Sequence, residues 1–212
     1  MLLEGKKIAF LGASIERGAY LSNQCDCYTE RIKSAIPWNG FYNYSVPGSR
    51  IGEYIGPDPK RIKGSFLERY PQMLDGMDIV VVSGGSNDFG IGNAPMGAYS
   101  DKDPYTFCGA VNLLFDGLKK KYPDAAIVVI LPLHRKDENR ANMYSGAVLE
   151  DYVQVLRKKA SEYGYLACDL RSAPGLRGDD AYYSDFMEDG LHPFEKTHAL
   201  LAKELLTYLM EV

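Results

Sequence analysis

No stretch of this chain approaches the roughly 20 consecutive apolar residues that a membrane span requires, and the N-terminal MLLEGKKIAF places Glu4 where the apolar core of a signal peptide would run. A cytoplasmic protein with no membrane span is therefore expected. Histidine is scarce, and His134, His192 and His198 share no spacing that would gather them on a metal. Cysteine is scarce too. Four cysteines in 212 residues make no disulfide framework, Cys25 and Cys27 stand too close together for the usual zinc pairs, and buried thiols are expected. Neither a structural metal nor a cofactor is expected. No charge sign dominates: 24 Lys and Arg against 28 Asp and Glu leave a net charge of -4, without the basic footprint of a nucleic-acid partner. Several motifs are missing as well. There is no Walker A sequence, GGSND ends in Asp88 where a nucleophile elbow needs glycine, and GIGNAP lacks the last glycine of a dinucleotide fingerprint. Asn43-Tyr-Ser and Arg177-Gly-Asp match the glycosylation sequon and the adhesion tripeptide, and in a cytoplasmic chain both are accidents of short patterns.

What is present is the material of a globular core: 46% hydrophobic and 25% charged residues, with no linker, repeat or low-complexity stretch, which points to a single domain spanning 1–212. Apolar runs rich in β-branched residues recur as KKIAFLGA (6–13), GFYNYSV (40–46), DIVVVSGG (78–85), AAIVVILPL (125–133) and GYLACDL (164–170). They are nearly continuous rather than alternating, as strands buried on both faces of a parallel sheet are. Between them, residues 19–36, 104–122, 146–163 and 193–212 space Leu, Val, Phe and Ala at three and four, which predicts helices, with a shorter one near 65–74. Strands alternating with helices form right-handed βαβ units, so the expected fold class is α/β, a three-layer α/β/α sandwich around a five-stranded parallel sheet. Ligands of such sheets sit beyond the carboxyl ends of the strands, which directs attention to the irregular segments 48–64, 85–103, 133–145 and 173–190.

Ser14 follows the first strand directly, near the amino end of the first helix, where backbone N–H groups favour developing negative charge. Such a serine can be a nucleophile, and it can equally be a helix cap. A base would have to come from elsewhere, and MEDGLHPFE (187–195) holds Asp189 and His192 three residues apart at the entrance to the last helix. At that spacing the carboxylate can accept from one imidazole nitrogen and leave the other to take a proton from a serine; a cap ahead of Pro193 and a surface histidine are the alternatives. His198, inside the last helix, reads as structural. Asn87 in SGGSNDFG follows the third strand and could donate its amide to an oxyanion or merely shape a turn, and Gly48 in VPGSR could present a bare N–H to the same centre. Each fragment is weak, yet a nucleophile, a base, an orienting acid and donors all fall at one edge of one predicted sheet.

These residues resemble the SGNH, or GDSL, hydrolases, whose blocks occur here in order over nearly the whole chain. FLGASI resembles the first block, which implies that Ser14 is the nucleophile and that its N–H is an oxyanion donor. NYSVPGSR resembles the second, implying Gly48 as a further donor. GGSND resembles the third, implying Asn87 as the side-chain donor, with Asp88 supporting the loop. DGLH resembles the fifth, implying Asp189 and His192 as the rest of a triad. KKYPDAAIVVILPL reads like the helix and strand that precede the family's substrate loop. Two departures stand out. The usual Gly-Asp-Ser is Gly-Ala-Ser here, so the hydrogen bonds of the family's aspartate behind the nucleophile are absent at Ala13, and the usual glycine of the second block is Ser45. The resemblance implies a flavodoxin-like sandwich.

The expected function is a serine esterase working through a Ser14–His192–Asp189 triad and an acyl-enzyme, on a small-molecule ester. The loops GNAPMGAYSDKDPYT and LPLHRKDENRANMYS carry tyrosines and polar groups and few aliphatic residues, which favours a short acyl group, chiefly acetyl, on a carbohydrate or other polar alcohol. His134 and Arg135 are candidate contacts for that alcohol. The alternatives are a lysophospholipase or thioesterase of the same family, and a flavodoxin-like binding module without chemistry.

Overall fold

The computed structural model describes residues 3–54, 64–186 and 189–211. Strands β1 (Lys7–Leu11), β2 (Gly40–Asn43), β3 (Ile79–Ser83), β4 (Ala126–Ile130) and β5 (Leu166–Cys168) form one parallel sheet in the order β2-β1-β3-β4-β5. Their apolar runs are continuous because both faces are covered. Ile8, Phe10, Ile79, Val81, Val128 and Ile130 face one core, whereas Ala9, Leu11, Val80, Val82, Ile127 and Val129 face another.

The first core is closed by α1 (Tyr28–Ala35) and α7 (Glu195–Leu209), through Ile32, Leu201 and Leu205. The second is closed by α4 (Phe107–Lys121) and α5 (Leu149–Tyr163), through Leu114, Phe115, Val153 and Leu156. Short helices α2 (Phe66–Arg69), α3 (Ser86–Gly90) and α6 (Asp180–Tyr183) fill the connections. The chain runs outward from β1 to β2 and then crosses back to β3 on the other side of β1. A crevice opens at such a reversal, beyond the strand ends.

The three long helices fall within the segments that the periodicity marks. The segment 19–36 does not: only Tyr28–Ala35 is α-helical, preceded by 3-10 turns at Ile15–Arg17 and Gln24–Asp26. Left-handed Gly18 (φ 62°) ends the first turn just before this segment, and within it the Asn23 side chain accepts from Cys25 N–H to begin the second, so a local signal interrupts an apolar spacing that looks helical. Cys27, Cys108 and Cys168 are buried, but Cys25 is exposed, because it rides on the second of these surface turns. No helix among the described residues is long and apolar enough to cross a membrane. Of the site segments expected from the sequence, residues 55–63 and the MEDGLHPFE positions Met187 and Glu188 lie outside the described residues.

Candidate active site

Ser14 sits where β1 gives way to the first 3-10 turn, and its side chain makes no capping bond to that turn. Its Oγ instead lies 2.8 Å from His192 Nε2. The other ring nitrogen, Nδ1, lies 2.6 Å from Asp189 Oδ2, while Asp189 Oδ1 accepts from the backbone N–H of Leu191 (3.0 Å) and His192 (3.1 Å). Partial burial pushes the Asp189 carboxyl up, but the imidazole and the two N–H groups outweigh it and hold its pKa below the ordinary aspartate value. An ionised carboxylate only accepts, so Nδ1 carries the proton and Nε2 is left as the acceptor for the Ser14 hydroxyl. The loop bearing this pair is fastened by Phe194 N–H to Asp185 O (2.8 Å) and by Lys136 N–H to Gly190 O (3.1 Å).

Asn87 lies on α3, which starts from Gly85 at φ 99°, a backbone geometry that L side chains rarely adopt. One hydrogen of its amide goes to Ser49 O at 2.9 Å. Its neighbour Asp88 is buried and accepts from the backbone N–H of Ile51 and Gly52, each at 3.0 Å, so α3 is tied to the loop after Gly48. Burial pushes the Asp88 carboxyl up against the pull of those two N–H groups and of Arg50. Gly48 itself has φ 78° and open space where a Cβ would stand, so its left-handed turn, rather than crowding, calls for glycine. A cavity of roughly 40 Å³ adjoins Ser14 and Asn87 and is otherwise lined largely by apolar groups, among them Ile130, Pro132, Leu133, Leu191 and Leu201. Ser49 borders it; Gly48 does not.

Two residues that the sequence left unremarked brace this edge. Glu16 is buried, its Oε2 accepting from Ala13 N–H (2.8 Å) and its Oε1 from the hydroxyls of Tyr28 (3.0 Å) and Ser83 (2.8 Å). A carboxylate therefore stands behind Ser14 although residue 13 is alanine. The Ala13-x-x-Glu16 spacing, in which a glutamate reaches back to an N–H three residues earlier, is the available signal. Gly12 must be glycine beneath it, since a Cβ there would lie 2.4 Å from Glu16 Cγ. The other residue is Arg69, whose guanidinium donates to Gly12 O (3.3 Å), Ser49 Oγ (2.8 Å) and Tyr44 O, joining the loops that follow β1 and β2. Burial lowers its pKa to about 10. Nothing in the pattern around Arg69 marks it.

The two candidate substrate contacts are engaged with the protein. Arg135 is buried, pairs with Asp137 and donates to Ser86 O at 3.1 Å, which steadies α3 from behind. His134 Nδ1 lies 2.8 Å from Glu138 Oε2 and 3.2 Å from Arg171 Nη2. His198 is buried in α7, its Nδ1 accepting from Tyr28 N–H at 3.3 Å, and burial drops its pKa to about 4. It is a structural, neutral imidazole, as expected.

A parallel α/β sheet carrying a serine, an imidazole and a carboxylate in hydrogen-bonded series at its carboxyl edge has the architecture of a hydrolase of the acyl-transfer class. The chain belongs to the GDSL-like Lipase/Acylhydrolase family, whose profile matches residues 10–200. Among solved structures it is similar to a protein from Lactobacillus plantarum, with 26% identity, 98% of each chain covered and a TM-score of 0.81. It shares its fold with the lipase/acylhydrolase from Enterococcus faecalis (18% identity, 96% of this chain and 95% of that one, TM-score 0.65). The same holds for a member of the lipolytic protein G-D-S-L family from Veillonella parvula (16% identity, 97% and 99%, TM-score 0.68). No curated protein matches the chain.

Proposed function

We propose that the protein is a serine esterase that cleaves short-acyl esters, chiefly acetates, of a carbohydrate or other polar alcohol. The observation that carries this reading is the unbroken series Ser14 Oγ, His192 Nε2, His192 Nδ1 and Asp189 Oδ2, with links of 2.8 and 2.6 Å. Ser14 attacks the ester carbonyl as His192 takes its proton; Asp189 holds the tautomer and stabilises the imidazolium. The oxyanion is met by the N–H groups of Ser14 and Gly48 and by the remaining hydrogen of the Asn87 amide. His192 then returns the proton to the departing alcohol, and water repeats the cycle on the acyl-enzyme. The small apolar cavity beside Ser14 supports a short acyl group: each water-sized guest needs at least about 10–15 Å³, so roughly 40 Å³ admits a group the size of acetyl.

A second reading, a longer acyl chain as in lysophospholipases and thioesterases, is favoured by one observation. A hollow of roughly 330 Å³ beside the end of α3 is lined by Phe89, Ile91, Met143 and Tyr144, and Met143 is 86% exposed there. Hydrolysis of p-nitrophenyl acetate, butyrate and octanoate separates the two. Rates that fall with chain length, and that drop on the order of 10⁴-fold in Ser14→Ala, are expected. Octanoate as the preferred ester would select the second reading, and equal slow release by both proteins would remove the esterase altogether.

A further inference from the structure

Tyr20 is the one described residue other than glycine with a positive φ, 70°. It holds the third place of a turn closed by Leu21 N–H to Gly18 O at 3.1 Å, a place where glycine or asparagine usually supplies the left-handed backbone. A bulky L residue adopts that conformation only at a cost in free energy. Burial does not offset it, because the side chain is 69% exposed. The ring instead lies against His192, with centroids 4.6 Å apart and planes inclined at 53°. The turn is also referred to the nucleophile, since Ala19 N–H donates to Ser14 O at 3.0 Å. Strain, exposure and contact with the imidazole thus coincide on one side chain.

The reaction proposed above says what meets that ring. As the acyl-enzyme forms, His192 Nε2 gives its proton to the leaving oxygen, so the alcohol has to stand within hydrogen-bond reach of the imidazole that Tyr20 flanks. The acyl group lies elsewhere, and the cavity beside Ser14 has no Tyr20 in its lining. We propose that Tyr20 is a specificity-determining residue, its exposed ring forming a stacking wall for a ring-shaped alcohol. The C–H face of a sugar and the π face of an aryl alcohol share this chemistry. The assignment rests on the esterase reading.

Acetate esters of different alcohols pass through one acetyl-enzyme, which makes the test specific. Values of kcat/KM are measured for p-nitrophenyl acetate, a monoacetylated methyl glycoside and ethyl acetate, with wild type, Ser14→Ala, Tyr20→Phe and Tyr20→Asn; deacylation is followed by single turnover. In Tyr20→Asn, whose new side chain tolerates a left-handed backbone, the preference for ring-bearing esters over ethyl acetate is expected to fall about tenfold, the size of one aromatic stacking contact. Deacylation keeps its rate, Tyr20→Phe retains the preference, and the melting temperature of Tyr20→Asn stays level or rises as strain is relieved. Loss on the glycoside alone identifies a sugar, and loss on the aryl ester alone an aromatic alcohol. A Ser14-dependent enzyme in which Tyr20→Asn lowers all three esters and deacylation alike, or lowers none, overturns the assignment while leaving the esterase standing. A wild type no more active than Ser14→Ala overturns both.

Discussion

At the scale of the single residue, Asn87 illustrates how little of a side chain is left over for chemistry. One amide hydrogen is engaged by Ser49 O at 2.9 Å, which fixes the plane of the group and leaves a single hydrogen for a developing oxyanion. Asn87→Ala is therefore expected to lower kcat by about 100 to 1,000-fold with little change in KM, the usual effect of losing one oxyanion donor. Steady-state kinetics on p-nitrophenyl acetate check this, and a fully active variant would remove Asn87 from the oxyanion site. The same residue shows what could be read beforehand. Ser14 and Asn87 each stand where an apolar or glycine-rich pattern breaks off into a polar side chain, and Asp189 and His192 stand three residues apart, signals that are visible in one dimension. Tyr20 is not, since nothing in AYLSNQ reveals a left-handed backbone.

At the scale of elements, Glu16 is a joint. Its carboxylate ties the turn after β1 to Ser83 at the end of β3 and to Tyr28 at the start of α1. Glu16→Ala leaves the buried Tyr28 hydroxyl and the part-buried Ala13 N–H and Ser83 hydroxyl without their acceptor; a buried donor left unmade costs about 1–3 kcal/mol, so destabilisation of roughly 2 kcal/mol or more is expected, with Glu16→Gln falling between it and wild type. Thermal unfolding followed by circular dichroism measures this, and a melting temperature within a degree of wild type would show that the joint bears no strain. Glu16 was legible only in part: the reach back to Ala13 is a local spacing, whereas Ser83 is 67 residues away and meets it only because β1 pairs with β3. The five strands were legible because burial on both faces leaves an unbroken apolar run. Helices α3 and α6, of five and four residues, are too short for any period to register, and 19–36 read as one helix because apolar spacing alone does not reveal the turn that Asn23 begins inside it.

For the whole molecule, the closure of α7 on α1 brings a pH dependence of its own. His198 has its pKa lowered to about 4 by burial, whereas an unfolded histidine titrates near 6.5. Above pH 6.5 both states are neutral and the group contributes nothing to the slope. Between about pH 6.5 and 4 the unfolded chain takes up a proton that the fold refuses, so stability falls as pH falls, by roughly 3 kcal/mol in all, and the decline from this group ends below about pH 4. Urea midpoints from pH 7 to 4 should show that decline in wild type and a flatter one in His198→Leu. That variant starts lower because Tyr28 N–H loses its acceptor. Parallel slopes would acquit His198.

The link between Ser14 and His192 spans 178 residues of sequence. On the ribosome the serine is made 178 residues before the imidazole that it meets. A nascent polypeptide that stops short of His192 therefore carries a serine without this partner, and under the proposed mechanism ester cleavage waits until the segment bearing His192 has emerged and folded back onto the turn after β1.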